Sequence, residues 1–144
     1  LTIILAYALF FELSYPQSLS QWTAFLLVLL LSWLISFSWR FLVNLAAFWT
    51  PNALGIGRLA FILSWFLSGF FLPLRFFPDW FVKLCYLTPF PYTINVVVEV
   101  YLGLVEGTAL VGVFLAQVAW ILILVLCGMV TLQAGVRRLE ILGG

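Results

Sequence analysis

The chain has 144 residues, of which 66% are hydrophobic and only 8% charged, with a mean hydropathy of +1.25. One core of this size cannot hide so many apolar side chains, so a water-soluble globular domain is excluded and the bilayer is the expected solvent. A net charge of +1 without any basic block argues against nucleic-acid binding and against a polybasic membrane-surface patch.

The first apolar run, Leu1 to Phe11, is too short to cross roughly 30 Å of hydrocarbon. The chain opens inside it without a methionine, which reads as the remainder of a span whose beginning is missing. Trp22 to Trp39 carries no charge, and its ten Leu, Ile, Val and Phe residues from Phe25 to Phe37 favour insertion by roughly 3 to 6 kcal/mol. Arg40 follows, where a long side chain snorkels to the headgroups or meets an anionic substrate, so the span is expected over 22–45.

Trp49-Thr50-Pro51-Asn52 is a turn-like break, since proline disfavours helix at the residue before it. A second span is expected over 54–74, closed by Pro73, with Ser64, Ser68 and Gly69 small enough for close helix packing. From 75 to 107 the character changes. Pro78, Pro89 and Pro91 interrupt apolar stretches, and Asp79, Lys83, Glu99 and Glu106 are placed among them. Two short helices, roughly Pro78 to Leu87 and Tyr92 to Leu102, fit this pattern as interfacial or re-entrant elements. The last span is expected over 108–136, uncharged and ending at Arg137-Arg138, with Gly143-Gly144 available to stop the helix.

The positive-inside rule places Arg58, Arg137 and Arg138 in the cytoplasm and the proline-rich segment outside, against the weight of Arg75 and Lys83. The expected fold is therefore all-α, a single polytopic transmembrane helical bundle over 1–144 with short re-entrant or interfacial helices before the last span.

Chemistry is bounded by what is missing. There is no histidine, Asp79 is the only aspartate and Lys83 the only lysine, so neither a Ser-His-Asp nor a Cys-His site nor a phosphate-binding G-x-x-x-x-G-K-[ST] loop can be built from this chain. None of the three expected spans carries the buried acid of a proton-driven carrier. Cys85 and Cys127 are assigned neither a disulfide nor a metal. Two polar residues invite attention: Glu99 in a valine-rich surround, read as vestibule lining or as a solvated or paired acid, and Gln117, three residues before Trp120, read as glue between helices. The aromatics Trp65, Phe66, Phe70, Phe71, Phe76, Phe77, Trp80 and Phe81 read as a hydrophobic gate or as an interfacial belt.

The segment order and several local motifs resemble the ABC transporter type-2 permease family, in its bacterial subgroup of six-helix exporter permeases. Leu67-Ser68-Gly69-Phe70-Phe71-Leu72-Pro73-Leu74-Arg75-Phe76-Phe77-Pro78-Asp79-Trp80 is similar to that family's passage from the fifth helix into an outer re-entrant segment. Leu87-Thr88-Pro89-Phe90 and Glu99-Val100-Tyr101-Leu102-Gly103 resemble its Leu-Pro-Phe and Glu-Ile-Tyr-Leu-Gly elements. Val97 stands where the family has a proline. The resemblance implies helices three (in part) to six, a candidate outer gate at Phe70, Phe71, Pro73, Phe77, Pro78, Trp80, Pro89, Phe90, Glu99 and Gly103, and helix packing at Ser68, Gly69, Gln117 and Trp120. It also implies a second permease subunit in a homo- or heterodimer, partner ABC ATPase subunits that bind ATP and magnesium, no cofactor and no enzyme activity in this chain, and residence among the lipids of the bacterial cytoplasmic membrane. A structural or assembly subunit of a larger membrane complex is the rival reading.

Overall fold

A computed structural model describes Pro16 and residues 18–143, with side chains through Arg138. The remnant helix expected over Leu1 to Phe11 lies outside the described residues, as does Gly144. Among the described residues all regular structure is helical.

Helix α1 (Leu19–Asn44) starts where the Ser18 hydroxyl accepts the Gln21 backbone N–H at 3.2 Å, satisfying one of the donors that a helix start leaves free. It runs on into a 3₁₀ turn (Leu45–Phe48), giving a largely apolar stretch of 30 residues in all. Val28, Ser32 and Ile35 form its buried stripe, at the i, i+4, i+7 spacing of one helical face.

Helix α2 (Ala53–Leu67) has 15 residues and stops short of the expected boundary at Leu74. The hydrophobic run continues, but the backbone does not. Gly69 takes φ +80, and the Phe70 N–H reaches back to the Trp65 carbonyl at 3.2 Å, a Schellman ending that only a residue tolerant of left-handed geometry permits. At about 22 Å of rise, α2 is too short to cross the hydrocarbon alone.

A 3₁₀ turn (Leu74–Phe76) leads to α3 (Asp79–Tyr86), another 3₁₀ turn (Phe90–Tyr92) and α4 (Asn95–Tyr101). α4 ends like α2: Gly103 has φ +70, and the Leu104 N–H donates to the Glu99 carbonyl at 2.9 Å. Helix α5 (Gly107–Gly143) is the longest element and lies mainly against α1. Its close approach depends on small residues, for a Cβ built at Gly135 would sit 2.5 Å from the Phe48 ring, and one at Gly128 would sit 3.3 Å from Phe41.

Two described helices, Leu19–Phe48 and Gly107–Arg138, are long and apolar enough to cross a membrane, in place of the three complete spans expected. Only 28% of the most apolar stretch of the first and 11% of that of the second are buried by the chain itself. Leu115, Leu126, Val130 and Trp33 are each more than half exposed. Lipid or further protein must cover that surface, which marks the chain as a helical membrane protein. The interior is small: Val28 of α1 packs with Val96, Val97 and Val100 of α4, flanked by Phe25, Tyr86, Tyr92 and Phe114.

Candidate functional site: the elbow between the bent helices

The segments Asp79–Tyr86 and Phe90–Tyr101 are bent by 80° across the break at Leu87-Thr88-Pro89. Pro89 and Pro91 have no N–H to continue a helix, and the hydroxyls of Thr88 and Thr93 each donate to a carbonyl three residues back, at 2.6 Å. The bend is thus written locally in prolines and threonines.

Three elements hold the elbow. On α1, the Ser32 hydroxyl donates to the Thr93 carbonyl at 2.9 Å, while the Gln21 amide donates to the Tyr101 carbonyl at 3.0 Å. These two bonds fix α4 antiparallel to α1, with the elbow about 20 Å of helical rise from Leu19. On α5, the Gln117 side chain is fully buried, and its Nε2 donates to the Val28 and Tyr92 carbonyls, both at 3.1 Å. One amide thereby joins α5, α1 and the elbow. Its Oε1 is buried without a partner.

At the end of α2, Asn95 is the hub. Its backbone N–H donates to the Ser68 carbonyl at 3.1 Å, its Oδ1 accepts the Leu74 N–H at 3.3 Å, and its Nδ2 donates to the Tyr86 hydroxyl at 3.2 Å. Gly69 is needed beside it, because a Cβ there would lie 3.1 Å from Asn95 Oδ1. Ser68, expected at a helix-packing position, is 1% exposed and contributes its carbonyl; its hydroxyl turns back to Trp65 at 2.9 Å.

The aromatic residues expected at a single outer gate are divided. Phe70 and Phe71 stack around Trp65, with centroids 5.7 and 6.3 Å from it, and both rings are exposed. Phe77 joins Phe66 and Phe81 at 5.7 and 4.9 Å, and Trp80 meets Phe81 at 5.7 Å on the exposed side. Phe90 is alone among them in being buried, edge-on to Trp39 at 5.1 Å. Pro73 leads into the first 3₁₀ turn, Pro78 starts α3 and Pro89 opens the elbow. Glu99 is paired at 4.0 Å with Arg75, on the part-exposed side of α4. Trp120 is partly buried and takes no part in the Gln117 hydrogen bonds.

The chain matches no family model, no curated protein and no solved structure. Its functional reading therefore rests on residues and geometry. The elbow is assembled from neutral amides, hydroxyls and carbonyls, a set suited to holding backbone in place rather than to moving protons or attacking bonds. Asn95, Ser32 and Trp39 escaped the sequence reading. The one signal for Asn95 is an amide at the head of the apolar run Val96-Val97-Val98, where an unsatisfied side chain would be costly.

Proposed function

We propose that this chain is the membrane-spanning permease subunit of an ABC exporter, working as a homo- or heterodimer with separate ATPase subunits in the bacterial cytoplasmic membrane. The observation that carries the proposal is the bent α3–α4 pair between a short helix and a long final helix, with its elbow against the middle of α1. That order coincides with the order of permease-like motifs in the sequence. In this reading α1 and α5 cross the bilayer, α3 and α4 form an outer re-entrant flap, and the cytoplasmic face carries Arg58, Arg137 and Arg138. ATP and magnesium act in the partner subunits, whose closure shifts the permease pair toward an outward-opening state. The exposed faces of α1 and α5 supply surface for the second permease subunit.

Purification of the full-length protein from its own membranes in mild detergent tests this. An ATP-binding protein with a phosphate-binding loop is expected to co-purify in a fixed ratio, and the complex to hydrolyse ATP. Recovery with other membrane subunits and no such ATPase would overturn the proposal in favour of a structural subunit, a role that the uncovered face of α5 also fits.

A further inference from the structure

A cavity of about 100 Å³ lies where α1, α2 and the elbow meet, with Trp39, Arg40, Phe61, Ser64, Phe90 and Thr93 in its wall. The Trp39 indole N–H is buried with no acceptor, and a donor left in that state carries its full desolvation penalty. Arg40 lies over the Phe61 ring at 5.4 Å, and the ion pair found among the described residues joins Arg75 to Glu99, so Arg40 has no carboxylate partner there. A guanidinium inside a span needs an anion or a route to the headgroups. The Ser64 and Thr93 hydroxyls have already given their hydrogens to the Phe61 and Phe90 carbonyls, at 2.8 and 2.6 Å. The wall thus includes a residue with an unpartnered N–H donor and a residue with a positive charge, and no carboxylate lines it.

Trp39 is packed edge-on against the Phe90 ring, and Arg40, an exposed residue, lies over the Phe61 ring. Arg40 is about 6 Å of helical rise from the last residue of α1, Asn44, close enough for its long side chain to snorkel toward a headgroup layer at that end. A second hollow of about 370 Å³ shares Phe61 and continues the α1–α2 seam past Ala47, Ala53 and Leu54, with Arg58 and Asn44 also in its wall, giving a mostly apolar track with a second cation beside it.

We propose that the cavity is an oxyanion site, in which the Trp39 N–H and the Arg40 guanidinium bind a phosphate-type group. The apolar seam suits the headgroup of an anionic lipid whose chains lie between α1 and α2. This inference does not depend on the transport reading.

Native mass spectrometry of the full-length protein in mild detergent, with added phosphatidylglycerol, uncharged diacylglycerol or inorganic phosphate, tests it. Retention of phosphatidylglycerol and not of diacylglycerol is expected. Trp39→Phe, which keeps a ring against Phe90, and Arg40→Gln should each weaken retention about tenfold, the usual effect of losing a hydrogen bond to a charged group. Arg40→Lys should restore part of it, and Lys83→Gln, on α3 and outside both hollows, should cost less than threefold. Displacement by millimolar inorganic phosphate would identify the bound species as a soluble oxyanion, and resistance to it would identify a lipid. Equal retention of diacylglycerol, or unchanged retention in both the Trp39 and Arg40 variants, would overturn the proposal. Should Trp39→Phe fail to fold, the Arg40 pair decides alone.

Discussion

Gln117 is the residue on which three elements converge, and its replacement separates polar bridging from mere packing. Gln117→Leu keeps the volume and removes both donors, to Val28 and to Tyr92. The loss is expected to be about 1 to 2 kcal/mol, since buried amide bonds in membrane proteins lie in that range or just below it. Thermal unfolding in detergent reads it as a lowered midpoint, and an unchanged midpoint would show that the amide is dispensable. Gly69 makes a sharper residue-level case. Gly69→Ala adds a Cβ at φ +80 and brings it to 3.1 Å from Asn95 Oδ1. Left-handed strain alone costs roughly 1 to 2 kcal/mol, and the displaced Asn95 adds to it. Asn95→Ala in the same background should then cost less than it does in the parent protein, because the two changes disturb one contact.

At the scale of elements, the long helices are legible in the sequence because lipid demands uncharged runs of a fixed length, and Trp22–Trp39 and 108–136 supply them. The end of α2 is not legible in that way. Leu67 to Leu74 remains apolar, and hydropathy cannot tell a continuing helix from a Schellman ending; Gly69, which reads equally well as a packing residue, decides it through its backbone. The short helices expected at Pro78 to Leu87 and Tyr92 to Leu102 lie within a few residues of α3 and α4 because prolines mark their ends. The hydrogen bonds that lock the elbow are hard to read from sequence, since Gln117 meets two backbone carbonyls and Asn95 a backbone N–H, a backbone carbonyl and a single side chain, Tyr86. The pairing of α1 with α5 can be tested at Gly135. Gly135→Ala should clash with Phe48 and destabilise by about 1 to 3 kcal/mol, and Phe48→Ala should relieve most of that penalty in the double variant, as measured by a thermal double-mutant cycle.

For the whole molecule, the deciding property is which parts of the chain lie on which side of a bilayer. Cys85 is buried, so a native-cysteine probe cannot report on the flap. Single cysteines at Leu104, between α4 and α5, and at Leu54, at the start of α2, are better placed, as both side chains are exposed. In a background where Cys85 and Cys127 are replaced by alanine, a membrane-impermeant maleimide applied to intact cells should label Leu104→Cys at once and Leu54→Cys only after the membrane is opened. Labelling of both positions from the outside, or of Leu104→Cys only from within, would contradict the arrangement of two crossing helices with the bent pair on the outer side.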